Sequence, residues 1–525
     1  MLARLRLGGF DWGSVPLHPV LVAAFPVLFL FAENAEEQVT LAPLWLPLIV
    51  CVAAGMVTLL VLGAALRDWQ RAALLASLLL ALFFSFGHAW NVLGGAVGER
   101  WLLAAGWLGL AIVGGLLIWR GGTWLVPMGR FLNVASIALV AFNVVGVASY
   151  ASSSAAVAAS AAATPDTVAL RAPADPPDVY YIILDRYAGV GTLRDLYGFD
   201  NEPFLRELED RGFAVARRAW ANYYKTSLSV YSSLSMDTIS KEDVGASKAP
   251  YRITGIYAAL RGHLTLPASL KAVGYDYIHL GNWWEPTSQN VDADITLRFQ
   301  DSAEFSGAVF STTFLSVFSP PSADTGSAGD EEDVSRVDLA RDTTLYTFDR
   351  LAETVERPGP NYVFAHIMLP HPPYIFDADG NFLTQEFVRS RPEVVNYVEQ
   401  LEFANKKLLA LIDRLLSDPT DPVIALQSDE GPWPARFAEG WKTFDWLSAT
   451  DEEISQKFAI LNAIHLPNGV DPREHGFTDR TSPVNEFRIV FNAVFGADMP
   501  LLKDMTYLSP DFAHMYDFVP YPPRD

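Results

Sequence analysis

Through the first 150 positions the chain is written in long apolar runs, and beyond them the runs become short and end on acids or turns. Five long runs precede residue 151, at residues 16–32, 41–66, 72–93, 101–119 and 131–150. Each is near the ~20 residues a helix needs to cross a bilayer. The first is short and contains Pro26, but four more runs follow it and no small-residue cleavage site does, so it reads as a span and not as a removed signal peptide. Arginines set the orientation: Arg4 and Arg6 precede the first run, Arg67 and Arg71 lie between the second and third, and Arg120 and Arg130 between the fourth and fifth. Glu33, Glu36 and Glu37 fall on the opposite side. The positive-inside rule then places the N-terminus in the cytoplasm and everything after the fifth crossing outside it. Trp90, Trp101, Trp119 and Trp124 stand near the run ends, as an interfacial belt requires, and His18 and His88 read as interfacial or packed residues.

Residues 151–178 are rich in Ala, Ser and Pro, the composition of a linker, or else they extend the fifth helix until Pro165. They separate a membrane domain, 1–150, from a second domain, 179–525. In that domain the pattern alternates. Strands are predicted at 179–184, 274–280, 362–368, 423–428 and 458–466, where β-branched and aromatic residues cluster. Helices are predicted at 192–211, from about Thr226 to 235, and at 266–273, 337–356, 394–416 and 484–495. Residues 320–335 are acidic and polar and read as a loop or lid. This order predicts a layered α/β domain with a central, mostly parallel sheet and helices on both faces.

Charge narrows the possible partners. The 525 residues carry a formal charge of -22, and residues 151–525 hold 31 basic against 54 acidic side chains. So acidic a domain is a poor nucleic-acid binder. Cys51 is the lone cysteine and lies in an apolar run, which excludes a disulfide framework, a cysteine metal cluster and a cysteine nucleophile outside the bilayer.

The candidate chemistry collects at strand ends, where open α/β sheets place their ligand sites. Asp185 follows the strand 179–184, and Asp429 with Glu430 follows 423–428. Neighbouring carboxylates there suit a polar turn, a hard cation or a general acid/base pair. Thr226 stands at or beside a helix N-terminus, where a hydroxyl is a cap or, facing a bound anion, a nucleophile. His371 lies in Leu369-Pro-His-Pro-Pro-Tyr374, a stiff turn that fixes the direction of an imidazole, whether structural or functional.

In this order the motifs resemble the sulfatase and alkaline phosphatase superfamily, and within it the membrane-anchored branch that includes lipoteichoic acid synthases. Members of that branch carry five membrane helices before an extracytoplasmic catalytic domain of alkaline phosphatase type. The resemblance implies one divalent cation held by Asp185 in Ile-Ile-Leu-Asp-Arg, Thr226 in Asn-Tyr-Tyr-Lys-Thr-Ser, and Asp429 with Glu430 in Gln-Ser-Asp-Glu-Gly-Pro. It implies Thr226 as nucleophile and His371 as the contact to the substrate's anionic group. Glu430 stands where the family usually has His, and Asp185 where lipoteichoic acid synthases have Glu. An all-oxygen donor set favours Mn²⁺ or Mg²⁺ over Zn²⁺. The sulfatase signature is absent, since Thr226 is followed by Ser-Leu-Ser-Val. Phosphoethanolamine transferases of the superfamily typically carry periplasmic disulfides, which this chain cannot form internally.

The implied protein is a multi-pass plasma-membrane enzyme that transfers or hydrolyses a phosphoryl group, such as a phosphoglycerol-like head group, with an anionic lipid head group or an envelope glycan as substrate. The other reading is a non-catalytic relative that binds such a head group or glycan. A transporter is disfavoured, because the runs lack paired intramembrane charges. His366 and His465 are given no role.

Overall fold

The computed structural model describes residues 15–34, 41–97, 99–161, 166–240, 253–299, 304–318 and 334–523. The chain divides into two units, one made by the residues up to 153 together with 304–318 and the other by nearly all the rest. Arg4, Arg6, Glu36 and Glu37, on which the predicted orientation partly rests, lie outside the described residues.

In the first unit every long apolar run forms a helix: α1 (His18–Glu33), α2 (Ala42–Leu66), α3 (Trp69–Val97), α4 (Arg100–Trp119) and α5 (Leu125–Ala161). Four of them, α2 to α5, are long and apolar enough to cross a membrane, whereas α1 has 16 residues. At 1.5 Å per residue α1 rises about 24 Å, somewhat less than a hydrocarbon core of about 30 Å. Its first turn is tied down from α5, where Asn133 Oδ1 accepts the amides of Leu17 and His18 at 2.9 and 2.8 Å. Two of the amides that a helix start leaves open are thereby met. His18 is buried, with Nδ1 2.6 Å from Ser77 Oγ, a packed residue as its sequence context suggests. The fifth helix runs on to Ala161, so the first part of the Ala- and Ser-rich segment is helical.

The second unit is built on seven strands: β1 (Val179–Leu184), β2 (Ala214–Val215), β3 (Asp276–Leu280), β4 (Ile295–Leu297), β5 (Asn361–Ile367), β6 (Val423–Ser428) and β7 (Asn462–His465). Their order across the sheet is β2-β7-β6-β1-β5-β3-β4. Strand β1 lies at the centre, parallel to β5 on one side and β6 on the other, and β7 is antiparallel to both its neighbours. Every residue of β1, β5 and β6 is buried. Burial on both faces is what an unbroken apolar strand signifies, and it is the condition for a parallel sheet covered on each side. Register then places the chemistry: Leu184 pairs with Ile367 and with Ser428, so Asp185 and Asp429 each stand one step beyond the same sheet edge.

Several elements depart from the sequence reading. The helix predicted over 192–211 is two, Val190–Tyr197 and Glu202–Asp210, because Gly198 takes φ +63° and ends the first in a left-handed turn. The strand predicted over 458–466 is shorter, since Phe458 closes the helix Asp451–Phe458, which a Thr450–Glu453 capping box starts. Strands β2 and β4, of two and three residues, are too brief to leave a pattern. Most of the acidic segment at 320–335 lies outside the described residues, and its last two residues begin the helix Val334–Thr354.

Candidate metal centre

Three strands deliver one side chain each. Asp185 follows β1 and Asp429 follows β6, while His366 is the last residue but one of β5. A ligand atom from each of Asp185, His366 and Asp429 lies within 4.8 Å of the other two, and all three residues are buried. His366 Nε2 is 3.6 Å from Asp185 Oδ2. Asp185 Oδ1, His366 Nε2 and Asp429 Oδ2 have no hydrogen-bond partner. One buried polar atom left unmet costs about 1–3 kcal/mol. Three of them converging, two on carboxylates and one on an imidazole, form a donor set that fits a divalent cation.

The remaining atoms of these side chains are held from behind. Asp429 Oδ1 accepts the Arg186 amide at 3.1 Å. His366 Nδ1 is 3.1 Å from Thr287 Oγ1, and Asn282 Nδ2 donates both to Thr287 Oγ1 at 3.0 Å and to the His366 carbonyl at 2.8 Å. Thr287 and Asn282 therefore turn His366 Nε2 toward the carboxylates, the outer support that ligating histidines require. Burial pushes the Asp185 carboxyl up to about 7, with Arg186 opposing and Glu430 adding to the rise. Asp429 is held well above the usual carboxylate range by burial and by the adjacent Asp185 and Glu430. Burial also lowers His366 to about 4, which keeps its ring neutral at pH 7. A bound cation reverses the penalty on both carboxylates.

Thr226 is the first residue of the helix Thr226–Ser235, entered from an extended Lys225 whose side chain provides no cap. Its hydroxyl lies close enough to Asp429 to favour the ionised carboxylate, a smaller effect than burial and the neighbouring charges. Ser227, the next residue, is buried with an unpartnered Oγ at the same helix start.

Glu430 is buried beside the cluster and turned to another partner. Its Oε1 lies 2.7 Å from Lys457 Nζ, accepts Trp433 Nε1 at 3.2 Å, and is 3.8 Å from Arg186 Nε. Lys457 is fully buried on the helix Asp451–Phe458, also donates to the Gly431 carbonyl at 3.1 Å, and is lowered by burial to about 8. Arg186, at φ +61°, sets its guanidinium 4.0 Å over the Trp433 ring.

His371 is half-buried. Its amide donates to the Asp185 carbonyl at 3.2 Å, its Nδ1 bonds the Pro372 carbonyl, and its ring packs against Trp283. Burial, with Arg186 nearby, holds the imidazole well below its usual value. His465 lies at the far edge, pairing with Ile424 near the start of β6 and bonding the Pro422 carbonyl at 3.0 Å.

Asp185, Thr226 and Asp429 thus come together, His371 is joined to Asp185 through the backbone, and His366 enters without having been singled out from the sequence. Its signal was a polar residue one step before the end of an apolar strand. Lys457 left no such signal. With an imidazole beside two carboxylates, the candidate donor set is not all-oxygen.

No protein-family model matches the chain, and no curated protein matches it. Solved structures similar to it include the C-terminal periplasmic domain of EptC from Escherichia coli, with 12% identity, 66% of this chain and 93% of that chain covered, and a TM-score of 0.42. The integral membrane lipooligosaccharide phosphoethanolamine transferase A from Neisseria meningitidis has 13% identity over 92% of this chain and 94% of that chain, with a TM-score of 0.40. The phosphonate monoester hydrolase of Agrobacterium radiobacter has 13% identity over 63% and 80%, with a TM-score of 0.38.

Proposed function

We propose that the chain is a membrane-anchored, metal-dependent phosphoryl-group transferase or phosphoester hydrolase, acting outside the cytoplasm on the head-group phosphoester of an envelope lipid or glycan. The observation that carries this reading is the convergence of unpartnered atoms of Asp185, His366 and Asp429, with the Thr226 hydroxyl near Asp429. A divalent cation held by those three side chains would supply the positive charge that steadies a Thr226 oxyanion and polarises a phosphoryl oxygen. One imidazole and two carboxylates suit Zn²⁺ or Mn²⁺ better than Mg²⁺.

Thr226 Oγ attacks phosphorus while its proton passes to Asp429; the Oγ–P bond forms, the bond from phosphorus to the leaving oxygen breaks, and that oxygen takes a proton from solvent. Ser227 Oγ and the open amides of the helix start are donors for the phosphoryl oxygens. In the second half, an acceptor hydroxyl or water attacks phosphorus and loses its proton to solvent, the Oγ–P bond breaks, and Asp429 returns its proton to Thr226 Oγ. His371, whose imidazole burial holds well below its usual value, is the group proposed to steady the phosphoryl oxygens.

The test is intact-mass measurement of the purified full-length protein after incubation with mixed phospholipids and Mn²⁺ or Zn²⁺. The wild type is expected to gain the mass of a head-group phosphate and Thr226→Ala to gain none. An adduct that persists in Thr226→Ala sinks the assignment.

A further inference from the structure

Residues 304–318 fall in the middle of the second half of the sequence, yet they pack with α1 to α4. They form a helix, Glu304–Thr312, and a 3-10 turn, Phe314–Phe318. After Glu304 the segment has no ionisable side chain. Phe305 packs edge-on against Phe31 of α1 at 5.4 Å, and Phe314 against Phe86 of α3 at 5.1 Å.

Two contacts measure how far the segment reaches along the bundle. Phe86 also touches Trp107, seven residues into α4 from Arg100, or about 10 Å along the axis. On α3, a Cβ at Gly87 would lie 2.1 Å from the Ser311 carbonyl oxygen and 2.7 Å from Thr312 Cα, so only glycine admits this approach. Gly87 is six residues before Leu93, where the apolar run of the sequence gives way to Gly-Gly, about 9 Å. The face of entry is the one at which α3 ends and α4 begins.

The polar atoms of the segment are met as hydrocarbon demands, where no water replaces a missing bond. From Ser311 onward each hydroxyl donates to the carbonyl three residues before it: Ser311 to Ala308, Thr312 to Val309, Thr313 to Phe310 and Ser316 to Thr313, at 2.7–2.8 Å. Arg100 Nη1 donates to the Ser316 carbonyl at 2.8 Å. Leu315 is 44% exposed and Phe318 67%, and the Phe318 ring lies 5.6 Å from Trp101, so their apolar surface continues the outward face of α4.

We propose that residues 304–318 are a re-entrant membrane segment, sunk about 10 Å into the bilayer beside α3 and α4, with Leu315 and Phe318 against lipid. This does not rest on the proposed chemistry.

The test uses the full-length protein in phosphatidylcholine vesicles. Leu315→Cys, Phe318→Cys and, as a control in an exposed loop, Asp379→Cys each carry an environment-sensitive fluorophore, with unsubstituted protein reporting any labelling of the buried Cys51. Both lipid-facing positions are exposed, so substitution leaves the packing intact. Probes at 315 and 318 are expected to emit to the blue of the control and to be quenched several-fold more by lipids bearing a shallow acyl-chain nitroxide. Emission and quenching equal to the control overturn the proposal. Protection from water without lipid quenching also overturns it, because a protein partner would then cover the patch. Gly87→Val is expected to expel the segment and abolish quenching at Leu315 while the helical circular dichroism persists; retained quenching overturns the placement against α3.

Discussion

Glu486 lies on the helix Pro483–Phe495 and is wholly buried, with neither carboxylate oxygen hydrogen-bonded. Burial raises it from an ordinary 4.5 to about 8, an effect that Asn462 offsets only in part. In the unfolded chain the group loses its proton near pH 4.5, whereas the native protein keeps it until about pH 8. Between those values the native state holds one proton more than the unfolded state, so stability falls as pH rises. At about 1.4 kcal/mol per pH unit the loss reaches about 5 kcal/mol by pH 8. Glu486→Gln keeps the size of the side chain and cannot ionise. The variant should match the wild type near pH 5 and exceed it at pH 8 by an apparent midpoint of about 10 °C, taking about 2 °C per kcal/mol for a domain of this size. The assay is thermal unfolding in detergent at pH 5, 6, 7 and 8 with metal held constant, followed by tryptophan fluorescence. A difference between the two proteins that is the same at every pH would refute the reasoning, since it would mean that native Glu486 is not held protonated.

His366→Ala should reduce the metal bound by the purified protein to well below one equivalent by mass spectrometry of the elements, and should erase the midpoint shift that a chelator causes in the wild type; full occupancy in the variant would remove His366 from the donor set. Lys457→Met should lower the unfolding free energy by about 3–5 kcal/mol, because it strands the buried Glu430 charge. Lys457→Met combined with Glu430→Gln should recover most of that loss in a double-mutant cycle, and additive losses would show that the pair is not coupled.

What the sequence made legible was whatever a single element determines for itself. The five apolar helices and the strands Val179–Leu184 and Val423–Ser428 are visible because each is a continuous apolar run, the strands because they are buried on both faces. Asp185 and Asp429 are visible as the first polar side chains beyond those strands. His366 was not, because its place beside Asp185 comes from the pairing of Ile183 with His366 across β1 and β5, which no one strand records. Lys457 arrives from a separate helix and meets Glu430 only in the fold. The segment 304–318 is too short for a span and breaks from helix to 3-10 turn midway, so it carries neither the length nor the period by which membrane elements are read.

Lys457 also bears on the residue that departs most from the family resemblance. A glutamate in place of an expected neutral imidazole would add a full negative charge to a site that already buries Asp185 and Asp429. It does not, because Lys457 Nζ stands 2.7 Å from its carboxylate and Arg186 Nε 3.8 Å away. The Glu430–Lys457 pair is then close to neutral as a unit, as the imidazole would have been. With all three carboxylates ionised, as a cation would require, Asp185, Asp429 and Glu430 exceed the charges of Arg186 and Lys457 by one, so a divalent cation would leave the centre with a net positive charge. A net positive centre would attract the anionic phosphoester of the proposed function. On this arithmetic Glu430 and Lys457 belong to the site as a matched pair, and a change at either one shifts the charge the substrate meets by a full unit.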